Sequence, residues 1–364
     1  MRRNIRLIIV IGICLFLFPL FGMRASASEF NFAVKTVIPD NQINKKLTYF
    51  NLFMEPSQEQ TIEIELRNDT DKAVTVLVDI NSAITNKSGI VEYGRNDVEL
   101  DETLRHDMGK IVTTDNEVVV PANGNYMLKL TINMPEEEFD GIIAGGIRLK
   151  EKVEEENNSS NSNSESGMSI KKEFAYEVAI LLRVNENKLT PNLELNDVFP
   201  NQINFRNVIS ANIQNTEAMY MNKMTVEAKV TKKGSTKALY EENKEGMQMA
   251  PNSNFHFPIS LNGKKMKAGE YTLNLTATSL GETWTWTKDF KIEKEEAKAF
   301  NAADVSIQND YSWLIYVVIG MGILLVVLII WMILLKRKNN KDKTVNYTPE
   351  DYTAKEDEHK DLGK

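Results

Sequence analysis

Apolar residues recur at every second position, in short runs, along most of this chain. "QTIEIELRND" places Ile62, Ile64 and Leu66 on one side. "AVTVLVDI" does the same with Val74, Val76, Val78 and Ile80, and "YMLKLTI" with Tyr126, Leu128, Leu130 and Ile132. Later, "MTVEAKV" alternates Met224, Val226, Ala228 and Val230, and "YTLNLTAT" alternates Tyr271, Leu273, Leu275 and Ala277. A strand shows successive side chains to opposite faces, so this period predicts antiparallel sheets with one buried face. Asn, Asp, Gly and Pro punctuate the runs as turns. No long amphipathic helix competes, apart from a turn expected at "EKEEAKAF".

The 268 residues from Asn31 to Lys298 exceed the roughly 100 residues of one immunoglobulin-like sandwich. A faint internal repeat points to two. "ELRNDTDKAVTVLV", "VVVPANGNYMLKLTI" and "FDGIIAGGIRL" are echoed by "NIQNTEAMYMNKMTVEAKV", "MQMAPNSNFHFPISL" and "KAGEYTLNLTAT". "PANGN" and "APNSN" occupy the same place, each a turn feeding a strand. Phe255 and Phe257 then fall on a core face and His256 on the other. Gly145-Gly146 sits in a strand, where glycine marks a bulge or a close backbone approach. The expected fold is all-β: two tandem immunoglobulin-like β-sandwiches followed by one transmembrane helix.

The two chain ends place this ectodomain. Arg2, Arg3 and Arg6, the apolar run Leu7–Gly22 and Ala25-Ser26-Ala27 read as a secretory signal over residues 1–27, the alternative being an uncleaved membrane anchor. Cys14, the chain's one cysteine, lies inside it, so the mature chain holds no disulfide, thiol nucleophile or cysteine metal site. The uncharged segment 313–335 reaches about 34 Å as a helix, enough for a hydrocarbon core of about 30 Å. Lys336, Arg337 and Lys338 follow it and are expected to stay cytoplasmic, with 336–364 as a short tail. Between signal and span lie 31 Lys and Arg against 44 Asp and Glu, a net charge near −13. That argues against nucleic acid as a partner, because phosphate binding needs clustered positive charge.

Reactive constellations are missing from the pattern. His106, His256 and His359 are scattered, which argues against zinc or a Ser-His-Asp site. The glutamate runs 136–138 and 154–156 read as solvated loops rather than an opposed acid pair. No cofactor is expected and no enzymatic activity. Aromatic pairs are the one hint of a recognition surface. Trp284 and Trp286 in "ETWTWTKDF" share a face, core if that face is inside and a partner-binding patch if it is outside. "YFNLFMEP", Tyr49 to Pro56, raises the same alternative. The polar run 153–170 is either a linker or the tip of a hairpin joining "GIIAGGIRLKE" to "FAYEVAILLRVNE".

These blocks resemble the WxL-interacting protein family. Its first domain is matched by Pro39, Asn41 and Gln42, by Tyr49, Phe50 and Leu52, and by "INMPEEEFDGIIAGGIRLKE". Its second is matched by the run Met249–Phe255, by Ala268-Gly269-x-Tyr271 and by Trp286 with Phe290. The likeness runs over about residues 30–340. It implies a peptidoglycan-binding-type sandwich over 30–152, with an alternative end near 187, and a host-binding-type sandwich over 171–300. It also implies a Gram-positive cell-surface protein anchored in the membrane by one helix. Partners would be WxL-domain proteins, peptidoglycan and host extracellular proteins. The candidate contact residues are Trp284, Trp286, Tyr49, Phe50, Asn41 and Gln42. The alternatives are a sensor or adaptor acting through the short tail, or a wall-modifying enzyme.

Overall fold

The computed structural model describes residues 30–94, 97–152, 174–307 and 312–341. The expected signal segment 1–27 with Cys14, the polar run 153–170 and the tail from 342 lie outside the described residues.

The first half holds β1 (Ala33–Val37), β2 (Phe50–Phe53), β3 (Glu59–Asn68), β4 (Val74–Ser82), β5 (Ile84–Thr85), β6 (Val91–Glu92), β7 (Val112–Thr113), β8 (Glu117–Val120), β9 (Gly124–Asn133), β10 (Ile143–Glu151) and β11 (Ala175–Arg183); nine of them build the sandwich, and β5 pairs with β6 in a separate two-stranded ladder. A one-turn helix, α1 (Met108–Ile111), sits before β7. One sheet runs β1-β3-β9-β7 and the facing sheet β2-β11-β10-β4-β8. The predicted alternation decides the layering. Ile62, Ile64 and Leu66 of β3 stand opposite Leu130, Leu128 and Tyr126 of β9, and the three β3 side chains share one buried core with Val74, Val76 and Val78 of β4. Each such side chain contributes about 1.5–3 kcal/mol by leaving water. With a single cysteine the chain can form no internal disulfide, and that burial is the main stabilising term.

Seven strands build the second: β12 (Leu193–Ile203), β13 (Arg206–Asn215), β14 (Met221–Lys232), β15 (Ala238–Met249), β16 (Ser253–Ser260), β17 (Gly269–Ser279) and β18 (Glu282–Ile292). Its sheets are β12-β13-β16 and β15-β14-β17-β18. The order repeats that of the first sandwich, with β1, β3 and β9 answered by β12, β13 and β16. In the other sheet β8, β4, β10 and β11 are answered by β15, β14, β17 and β18. In that correspondence β11 is the last strand of the first unit. It pairs with β10 from Leu182↔Ile143 to Ala175↔Lys150, and β2 adds to its far side in parallel.

Where a turn was expected at "EKEEAKAF" the structure has a ten-residue helix, α2 (Lys294–Ala303). A capping box between Glu293 and Glu296 nucleates it. Ala297 and Phe300 pack it onto the second core, a long-range contact that the local sequence does not show. Helix α3 (Ser312–Lys341) contains an uncharged stretch, Leu314–Leu335, of 22 residues. Its described side chains are exposed throughout, and the stretch is long and apolar enough to cross a membrane.

Candidate binding surfaces

Two buried asparagines set the turns that organise each sandwich. Asn68 ends β3, and its Nδ2 donates to the carbonyls of Lys72 at 2.7 Å, Pro121 at 3.1 Å and Val120 at 3.2 Å. Its Oδ1 accepts the Thr70 amide at 2.8 Å. Asn215 ends β13 in the same way, donating to Met219 O at 2.7 Å and Ala250 O at 2.8 Å and accepting from Glu217 N at 3.2 Å. In both, the amide ties the turn to the carbonyl just ahead of a proline, Pro121 or Pro251. An asparagine in left-handed geometry then enters the next strand, Asn123 (φ 49°) or Asn252 (φ 45°). Phe255 and Phe257 are buried beyond it and His256 is exposed.

The first candidate surface is the corner formed by residues 39–53. Gln42 is only 5% exposed. Its Nε2 donates to Tyr49 O at 2.9 Å and its Oε1 accepts from Asn51 N at 2.9 Å, so the side chain closes the loop beside β2. Phe50 has no exposed surface and lies in the core. Both were expected as contact residues, and neither side chain has surface to offer. Gln42 is consumed by main-chain groups, and Phe50 alternates inward with Leu52. Asn41 is half-buried in a reciprocal amide pair with Gln60, at 2.8 and 2.9 Å. Tyr49 is half-buried at the edge of the first core.

Trp284 and Trp286 stand opposite Ala277 and Leu275 of β17, whose side chains are buried, so both rings lie on the inner face. They remain half-exposed because β18 is the outer strand of its sheet. Thr283, Thr285 and Thr287 face solvent. Of the six candidates, Tyr49, Asn41, Trp284 and Trp286 keep exposed surface. They fall in two places, one per sandwich.

A seam between the sandwiches was not legible in the sequence. Asp101, in the loop after β6, accepts Gln214 Nε2 at 2.9 Å, Asn254 Nδ2 at 2.5 Å and Thr103 Oγ1 at 2.6 Å. Burial would raise this carboxyl, but the hydrogen bonds from Thr103, Asn254 and Gln214 outweigh it and hold the pKa below its ordinary value. Thr85 Oγ1 lies 2.6 Å from Ser253 Oγ and accepts the Ala250 amide at 2.9 Å. Ile142 N–H donates to Ala218 O, and Gln248 N–H to Gly89 O, both at 2.8 Å. The Tyr93 and Tyr220 hydroxyls meet at 3.2 Å, and burial raises both phenols. These partners across the seam are about 75 to 170 residues apart in sequence, so no local pattern could announce them.

Among the described residues no three His, Cys, Asp or Glu side chains converge to hold a metal ion. His106 packs beside Phe139 and His256 beside Phe199, in different sandwiches. The fold therefore defines a tandem immunoglobulin-like protein with an apolar C-terminal helix. Two family models match in order: "WxL Interacting Protein, peptidoglycan binding domain" over residues 32–151 and "WxL Interacting Protein, host binding domain" over residues 165–302. The chain belongs to the WxL-interacting protein family. No curated protein sequence matches it. Solved structures of similar fold include the E. coli chaperone DraB, 14% identical, covering 72% of this chain and 97% of that one with a TM-score of 0.26. Another is the CsuC–CsuE chaperone–tip adhesion subunit pre-assembly complex of Acinetobacter baumannii, 12% identical, covering 71% and 98% with a TM-score of 0.31.

Proposed function

We propose that this protein is a non-enzymatic surface adaptor of a Gram-positive cell. Its first sandwich binds peptidoglycan, its second binds protein partners including host proteins, and it associates with WxL-domain proteins. The observation that carries this reading is the pair of family matches in the order wall module then host module, the second beginning ahead of β11. Helix α3 anchors the chain, with Lys336, Arg337 and Lys338 on the cytoplasmic side. The boundary between the modules falls at 184–192, after β11, because β11 hydrogen-bonds into the first sandwich. On the second module, the half-exposed edge at Trp284 and Trp286 is the contact surface, since amphipathic rings anchor protein interfaces well. On the first, Tyr49 and Asn41 flank the corner beside β2.

Full-length protein in detergent micelles, incubated with purified sacculi and separately with a WxL-domain protein, tests the reading. Retention on sacculi and co-purification with the WxL protein are expected, and failure of both would sink it. Substituting Trp284→Ala together with Trp286→Ala is expected to weaken the protein partner at least tenfold and to leave sacculus binding unchanged.

A further inference from the structure

The two sandwiches share one strand order but differ at one edge. In the second, β15 accompanies β14 from Met221↔Met249 to Thr231↔Ala238. In the first, the equivalent strand β8 pairs with β4 only from Val74↔Val120 to Leu77↔Glu117, with one more bond from Val78 N–H to Asn116 O at 2.9 Å. The chain ahead of Asn116 belongs to β7, which pairs with β9 in the opposite sheet. Alternate residues of an antiparallel strand turn their N–H and C=O to the same side. Val78 faces β8, so Ile80 faces the same way, where among the described residues no strand continues the ladder.

A groove of about 400 Å³ lies there, within the range of small-ligand sites. Ile80 main chain and Gly109 line it, with Asp79 and Asn81 along β4 and Thr114 and Asn116 on the strand-crossing segment. Val112 and Val78 supply apolar wall. Asn81 is only 6% exposed, and its Nδ2 has no hydrogen-bond partner among the described residues. Thr114 Oγ1 donates to Lys129 O at 2.8 Å, which leaves its lone pairs free to accept. Asp79 is the lone ionisable group of the lining, so an anionic ligand finds no counter-charge. No aromatic ring lines the groove, so recognition rests on hydrogen bonds.

We propose that this groove binds an N-acetylated amino sugar of the glycan strand, the acetamido group pairing with the open main chain of Ile80. An acetamide has the donor and acceptor of a peptide group, so it completes the ladder that β8 leaves unfinished. Asp79 accepts from ring hydroxyls and the exposed Asn116 amide donates to them. This rests on the reading of the first sandwich as the peptidoglycan module and adds the site and the recognised group.

The test uses full-length protein in detergent micelles. Three ligands are titrated: a β-1,4-linked N-acetylglucosamine tetramer, the matching glucose tetramer without acetamido groups, and purified sacculi. Gly109→Val fills the groove above Ile80 O, since a Cβ at Gly109 comes within 3.4 Å of that oxygen in ordinary contact. Asp79→Ala removes one acceptor at a partly exposed position and does not disturb the core. The N-acetylglucosamine tetramer is expected to bind at least tenfold more tightly than the glucose tetramer. Both variants are expected to lose at least fivefold for it, with an unchanged thermal melt. Equal binding of the two sugars, or wild-type affinity in both variants, overturns the proposal. So does a wild type that holds sacculi but not the tetramer, and that outcome leaves the peptidoglycan reading standing. A wild type that holds neither removes both.

Discussion

Asn68 and Asn215 show how one side chain can organise a sandwich. Each is fully buried and answers two or three main-chain carbonyls and at least one amide that no strand could reach. Removing such a residue leaves those carbonyls buried without donors, at about 1–3 kcal/mol for an unsatisfied group. Asn68→Ala and Asn215→Ala are each expected to destabilise their own sandwich by about 2–3 kcal/mol, read as a lower urea midpoint. Asn68→Asp keeps the acceptor for Thr70 N–H but loses the donor, and is expected to be nearly as damaging. The sequence showed both asparagines as members of a turn. It did not show them as donors to Val120 and Ala250, because those carbonyls are 52 and 35 residues away.

At the scale of elements, the glycine pair of β10 explains how the strands and α1 fit together. A Cβ at Gly145 would stand 2.5 Å from both Asn81 O and Met108 Cγ, and one at Gly146 would stand 2.7 Å from Tyr93 Cβ. The strand is thus approached from both faces, by Met108 of α1 on the inside and by the loop bearing Tyr93 on the outside. Gly145→Val is expected to displace α1 and cost about 2–3 kcal/mol, the scale of overpacking in a well-packed core. Thermal unfolding, with Gly109→Ala as a mild control, checks this. Pairing of β11 with β10 and β2 is likewise a property of elements. Composition allowed the 153–170 run to be linker or hairpin tip, since both need only polar residues. The register from Ala175 to Leu182 depends on side chains far from that run.

For the whole molecule, the seam around Asp101 couples the two sandwiches. A carboxyl whose pKa is lowered on folding adds stability above its unfolded value, near 4, and loses it as pH falls through the folded value. The seam is therefore expected to be intact at neutral pH and to loosen in acid below about pH 4. Asp101→Ala is expected to loosen it at neutral pH, leaving the Gln214 and Asn254 amides without their acceptor. Hydrogen exchange measured around residues 98–104 and at the start of β16 would rise in both cases. Equal protection at pH 7 and pH 3 in the wild type would remove the coupling role assigned to Asp101.

What the amino-acid sequence determined by itself is periodic and local. It set the strands, the inward faces of Ile62, Val76, Leu130 and Leu273, the turns at Pro121 and Pro251, and an apolar segment long enough to cross a bilayer. Such signals survive in a single segment because side-chain direction in a strand depends on neighbours two residues away. Tertiary structure alone decided that Phe50 and Gln42 are interior and that Trp284 and Trp286 are half-covered at a sheet edge. It likewise decided that Asp101 meets Gln214 and that β8 stops short of Ile80. Each of these depends on which strand ends up beside which, and that is fixed by burial summed over the whole core rather than by any one stretch of sequence.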